Sequence, residues 1–148
     1  MKFLFVLILL SIDSLAIDSK SHNLDEVLNQ CYYEGTYNHE ELLIIWDSHI
    51  DNFQPSEKVA EFTDCFLKKL GVYGEDGVLN LAEFAKQIPY FLEKVFGNEI
   101  DVVDMAKEVC ERCFELIPND QSPVLRCFSV RNCGIKYIHA TLSNSTST

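Results

Sequence analysis

The residues of this chain best equipped for chemistry are its six cysteines, Cys31, Cys65, Cys110, Cys113, Cys127 and Cys133. Thiols pair as disulfides, hold soft metal ions, or act as redox and nucleophilic centres. Cys110-Glu-Arg-Cys113 has the Cys-x-x-Cys spacing used by redox and zinc sites. A redox pair, however, sits at a helix N-terminus beside a parallel sheet, and a zinc site needs a second close pair or nearby histidines. Neither setting is present in the sequence. His22, His39, His49 and His139 are scattered, and no serine or cysteine has an evident base and orienting partner. Glu75-Asp76-Gly77 lacks the alternating oxygen ligands and terminal Glu of a calcium loop. A secreted helical phospholipase needs a His-Asp pair, and the chain has no such dipeptide. We therefore expect no enzyme, with no catalytic residue, metal or cofactor, and cysteines that serve as structural disulfides.

That use of cysteine requires an oxidising compartment, and the first residues supply one. Met1-Lys2 carries one positive charge, an unbroken apolar run follows to Leu10, and Ser14-Leu15-Ala16 offers the small-x-small pattern of a cleavage site. Residues 1–16 read as a signal peptide, too short for the roughly 18 to 20 apolar residues that span a bilayer. The expectation is a secreted, extracellular protein without membrane insertion. Residues 17–140 form one domain on length priors. Residues 141–148 read as a polar, disordered tail containing the N-glycosylation sequon Asn144-Ser145-Thr146.

Removing the signal leaves 22 acidic against 11 basic residues, so the formal charge stays at −11. Nucleic acid and anionic membrane surfaces are recognised through a local excess of Lys and Arg, and no basic cluster is longer than Lys68-Lys69. Nucleic acid is excluded as a partner.

The elements that must position the cysteines are helices. Val59, Phe62, Phe66 and Leu70 step by three and four, and Val103, Ala106, Cys110, Cys113 and Ile117 do the same. Asn38 with Glu41 and Asn80 with Glu83 fit the cap-plus-acid pattern, and Ser122-Pro123 puts a capping hydroxyl before a first-turn proline. These signals predict six helices, over about 24–33, 39–50, 57–70, 81–95, 102–116 and 123–132. Pro89 should kink or split the fourth.

With the cysteines placed on helices, the chain resembles the insect odorant-binding family, the pheromone and general odorant-binding group. The likeness runs from Cys31-Tyr-Tyr-Glu-Gly-Thr-Tyr-Asn-His-Glu-Glu41 through Asp64-Cys65-Phe-Leu-Lys-Lys-Leu-Gly71 and Glu75-Asp76-Gly77-Val-Leu79 to Leu125-Arg-Cys127-Phe128. The family's third-helix cysteine stands six residues before a glycine and is followed by an acidic-acidic-glycine turn, as Cys65, Gly71 and Glu75-Asp76-Gly77 do. The resemblance implies that Cys31 is the first family cysteine, bonded to Cys65 as the third, and that Cys127 is the sixth, bonded to Cys113 or Cys110. The second and fifth family cysteines are absent together: Glu61 and Pro118 stand in their places. Cys133 and the second cysteine of the Cys-x-x-Cys segment look like a relocated bridge.

Six cysteines allow fifteen connectivities, so spacing alone proves none. If the last two helices form an antiparallel hairpin through the Pro118–Pro123 loop, the easiest arrangement is nested: Cys113 near the turn with Cys127, and Cys110 farther out with Cys133. Cys31–Cys65 is what remains, in agreement with the resemblance.

The resemblance implies an all-α, compact six-helix domain, cross-linked by disulfides around an internal apolar cavity. It also implies a function: a carrier for a small hydrophobic ligand, an odorant, pheromone or similar semiochemical. Such a carrier is a monomer or weak homodimer that delivers its ligand to a membrane receptor. Among the large apolar residues, Phe62, Phe66, Phe84, Ile88, Tyr90, Phe91 and Phe114 are the candidate lining, with Tyr90 or Tyr137 as a polar group that fixes orientation. His39 and His49 are candidates for pH-triggered release by the same likeness. Two alternatives keep the secreted helical fold. One is a salivary-type scavenger of host amines or lipid mediators, with Glu61 supplying a charge for an amine. The other is a secreted interaction protein with no small ligand and a fully packed core.

Overall fold

The computed structural model of the chain describes residues 23–147; the signal-like run 1–16 and His22 lie outside them. Six α-helices occur among the described residues: α1 (23–34), α2 (His39–Leu43), α3 (Glu57–Lys69), α4 (Leu81–Phe96), α5 (Val102–Cys113) and α6 (Pro123–Ser145). The fold is all-α, as the helical spacing predicts, and disulfide-linked, as the resemblance implies.

Local chemistry sets most boundaries. The Asn38 side chain accepts from the Glu40 amide at 3.0 Å, Ser56 Oγ from Val59 at 3.2 Å, and Asn80 from Glu83 at 3.1 Å. Asp101 accepts from both Val103 and Asp104. Each satisfies an amide that has no partner within its own helix. Ser122 is the exception: it makes no side-chain cap, and Pro123 at the first position does the work of starting α6. At the end of α3, Gly71 takes φ 76°, and the amides of Gly71 and Val72 bond back to Lys68 and Leu67, a Schellman closure that turns the chain sharply.

Several elements differ from the expected spans, each for a physical reason. The second helix gives way to a 3-10 turn over Ile44–Trp46 and stops there, four residues short. The carbonyls of Ile45, Asp47 and Ile50, which a longer helix would orient along its axis, are taken instead by the Arg131 guanidinium. α5 likewise tightens into a 3-10 turn at Phe114–Leu116. α4 runs unbroken through Pro89, because Phe84, Ile88, Leu92 and Phe96 on both sides of it are buried as one stripe that outweighs a lost hydrogen bond. α6 does not end near residue 132 but continues to Ser145, so the expected tail begins as helix. Ile135 and Ile138 are completely buried there, and Leu142 packs against the core one turn on.

The cysteines join differently from the nested scheme. Cys31 bonds Cys65, tying α1 to α3 with Cα atoms 5.9 Å apart. Cys113 bonds Cys133, tying α5 to α6 at 5.8 Å, while Cys110 and Cys127 remain thiols. The Cys113–Cys127 and Cys110–Cys133 pairings are therefore corrected. The connection after α5 is not a tight hairpin: its 3-10 turn and loop displace α6 lengthwise, so the end of α5 meets the middle of α6. Val109 packs on Gly134, where an added Cβ would come within 3.0 Å of Val109 Cγ1, and Tyr137 Oη donates to Glu108. The first two turns of α6 project past α5 and carry Cys127 and Phe128 into the space between α3 and α4.

Candidate ligand cavity

In that space the packing leaves a cavity of about 70 Å³. Its wall is built from the inward stripes of several helices: Leu24 of α1, Thr63, Phe66 and Leu67 of α3, Phe84, Gln87, Ile88 and Phe91 of α4, and Cys127, Phe128 and Arg131 of α6. Ile45 and Trp46 close it from the 3-10 turn. Stepping by four along α4 places Phe84, Ile88 and the neighbouring Phe91 on one side, and stepping by three and four along α3 does the same for Thr63, Phe66 and Leu67.

Of the seven aromatic and aliphatic residues expected to line it, Phe66, Phe84, Ile88 and Phe91 do. Phe62 lies against Tyr37 and Phe66 with ring centroids 5.4 Å away and faces an outer groove between α1 and α2 instead. Phe114 stacks on Phe84 from behind, one layer outside the wall. Tyr90 points away, toward a shallow depression with Leu24, Glu93 and Lys94. Tyr137 pairs with Glu108 and lies under Arg112, whose guanidinium is 4.5 Å from the ring, on the α5–α6 surface. Neither tyrosine reaches the cavity. Glu61 is solvent-exposed and bonded to Lys58 at 3.1 Å, so the charge expected for an amine ligand is outside. His39 and His49 are exposed and line none of the wall.

The polar members of the lining are few and mostly occupied. Thr63 Oγ1 donates to the Val59 carbonyl at 2.8 Å. Arg131 is buried, and its Nε donates to Ile45 O, Nη1 to Ile50 O and Asn132 Oδ1, and Nη2 to Asp47 O. Burial draws the Arg131 pKa down to about 10, with Asp47 opposing, which leaves the group charged at neutral pH. Its role is to hold the segment after α2 against α6. Burial also pushes the Cys127 thiol up to about 12, so it stays protonated and behaves as an apolar wall atom. Gln87 is different: its Oε1 is buried and accepts no hydrogen bond from the described residues.

Trp46 belongs to two surfaces. It lines the cavity, lies 5.9 Å from the Phe91 ring, and also forms the floor of the outer groove with Leu28, Tyr32, His39 and Leu43. Lys94 Nζ stands 6.0 Å over its ring and bonds Asp25 at 2.6 Å. The indole is the partition between the buried space and the solvent-facing groove.

Sequence reasoning missed Gln87, Thr63 and Arg131, which interrupt apolar stripes and gave no periodic signal. It also missed Leu24, Trp46 and Phe128, whose elements were placed but not their mutual register. The PBP/GOBP family model matches residues 16–137, which takes in α1 to α5 and most of α6. No curated protein and no solved structure matches the chain. Among the described residues no helix is long and apolar enough to cross a membrane.

Proposed function

The chain belongs to the PBP/GOBP family, the insect odorant-binding proteins, whose members are binding proteins for small ligands, and from this we propose a secreted carrier that holds one small hydrophobic ligand between α3, α4 and α6. An odorant, pheromone or related semiochemical is the ligand class, and delivery to a membrane receptor is the use.

The observation that carries this reading is the mainly apolar cavity at the point where four helices and the turn at Trp46 converge. Close-packed interiors ordinarily leave few voids larger than a water molecule. At about 70 Å³ the space is around half of the ~150 Å³ cavity that accepts benzene. A ligand of more than about three heavy atoms therefore enters by moving part of the wall. Trp46 is the movable part, since solvent already reaches its other side through the groove. Transfer of the ligand out of water supplies the affinity, up to roughly 0.8 kcal/mol for each methylene buried.

The amine-scavenger reading loses its support, because among the described residues no carboxylate lines the cavity and the charged member of the lining, Arg131, is a cation. Uptake of an apolar fluorescent probe by oxidised protein, with displacement by aliphatic semiochemicals, is the expected behaviour. No uptake by the folded protein would remove the proposal.

A further inference from the structure

We propose that Arg131 and Asn132 hold residues 45–53 as a strap over one side of the cavity, and that release of this strap from α6 as one unit admits and frees the ligand. The inference rests on the carrier reading above and adds the control of exchange at that site: which part of the wall opens, and what keeps it shut.

The strap has little structure of its own. After the 3-10 turn at Ile44–Trp46 the chain runs without helix to the cap of α3 at Ser56. Its local bonds are the Asp47 amide to Ile44 O at 3.2 Å and the His49 amide to Asp47 Oδ1 at 2.9 Å. Among the described residues, the hydrogen bonds that join residues 45–53 to another element all end on two adjacent side chains of α6. Arg131 donates to the carbonyls of Ile45, Asp47 and Ile50 at 2.8 to 3.0 Å. Asn132 holds Phe53 twice: its Nδ2 donates to Phe53 O at 2.9 Å, and its Oδ1 accepts from the Phe53 amide at 3.2 Å. Arg131 Nη1 also donates to Asn132 Oδ1 at 3.0 Å, which joins the two clamps into one network.

Both ends of the strap bear on the cavity. Ile45 and Trp46 are wall residues. Phe53 backs the wall, with its ring 5.4 Å from that of Phe128 and 5.0 Å from the Arg131 guanidinium, and both of those partners line the cavity. The rest of the lining belongs to helices, whose backbones are knit by their own ladders of hydrogen bonds. A segment whose carbonyls are held by side chains is different. Water takes over those partners once it lifts, so it opens at a fraction of the cost of unfolding a helix.

The probe is N-phenyl-naphthylamine, which is larger than the resting space of about 70 Å³ and enters only when the wall moves. Stopped-flow mixing with the full oxidised protein gives its association and dissociation rates. Asn132→Ala is the main variant, because Asn132 lines none of the wall and its loss leaves the apolar surface intact. Both rates are expected to rise together by about tenfold, while Kd moves by less than about threefold. Faster dissociation without faster association marks ordinary loss of packing and overturns the inference. So do unchanged rates, or a larger acceleration by Lys94→Met, which removes the cation over the Trp46 ring and leaves the clamps intact.

Amide hydrogen exchange reads the same opening without a ligand. In the wild type the Asp47 and Phe53 amides, at opposite ends of the strap, are expected to share one degree of protection, well below that of Leu92 and Ile135 in the buried core. Asn132→Ala is expected to lower protection at Asp47 by about tenfold. Protection at Asp47 that is unchanged in the variant, or as high as at Leu92 in the wild type, overturns the inference. Should Asn132→Ala fail to fold, Asn132→Asp, which keeps the acceptor and loses the donor to Phe53 O, takes its place with the same expectations. Failure of the probe to bind folded wild type ends the carrier reading and the ligand step with it, and exchange at Asp47 then decides the strap alone.

Discussion

Tyr73 shows how one side chain can tie stability to pH. It is almost wholly buried, and its hydroxyl donates to Asp64 Oδ1 at 2.8 Å. Burial first, and the neighbouring Asp64 carboxylate next, hold its pKa well above the usual phenol value. Above a pH of about 10 the unfolded chain loses this proton while the folded chain keeps it. The folded state then binds more protons, so the stabilisation is complete below that pH and declines as pH rises further. Tyr73→Phe should cost about 1 kcal/mol at neutral pH for the lost hydrogen bond and show a shallower alkaline decline than wild type, read by denaturant unfolding across the two ranges. The same scale explains which site residues could be read from sequence. Phe66, Phe84 and Ile88 belong to apolar stripes whose inward face is dictated by helical spacing, so they were legible. Tyr90 and Phe91 are neighbours about 100° apart on α4, and only packing tells that Phe91 faces in. Gln87 and Arg131 look in sequence like ordinary surface residues. That Arg131 is buried and Gln87 partly so follows from where α6 and the Trp46 turn come to rest, which no local pattern encodes.

Among the elements, the α5–α6 pair sets the register on which the cavity depends. Gly134 lets α5 approach α6 until Val109 touches the glycine backbone, and the Cys113–Cys133 bond fixes the pair one turn away. A side chain at position 134 must push Val109 aside. Gly134→Val is expected to destabilise the protein by about 2 kcal/mol, with part of the loss recovered when Val109→Ala is added, as thermal or denaturant unfolding of the three variants would show. An unchanged melting temperature in Gly134→Val would mean that the helices are not in this register. The existence of all six helices was legible because each has an amphipathic face and most have a cap. The length of α6 was not. Gly134 and the run of Ser and Thr after residue 140 weaken the local helical signal, while buried Ile135 and Ile138 sustain the helix through tertiary packing. The relative placement of α5 and α6 was likewise invisible, since a nine-residue connection can be a short turn or a lengthwise step.

At the level of the whole molecule, two bridges fasten the bundle at opposite places, closing loops with sequence separations of 34 and 20. On the chain-entropy estimate each contributes about 3 to 4 kcal/mol by restricting the unfolded chain. Removing the second bridge by Cys113→Ala with Cys133→Ala should therefore cost about 3 kcal/mol in denaturant unfolding. Two thiols are expected per chain in denaturant. In the native state Cys127 should be unreactive, and Cys110, half-buried with its pKa raised by burial and by Glu111, should react slowly. Recovery of Cys127 within a disulfide-linked peptide would contradict this map. The Cys31–Cys65 link was implied by the family resemblance that Gly71 and the acidic turn carry, whereas the choice among the remaining four cysteines awaited the position of α6. One consequence of the architecture lies in its optics. The chain has a single tryptophan, and Trp46 is the partition between the cavity and the groove. Its intrinsic emission thus arises from the one place where a ligand would pass or lodge, so entry and exit are open to stopped-flow observation in the unlabelled protein.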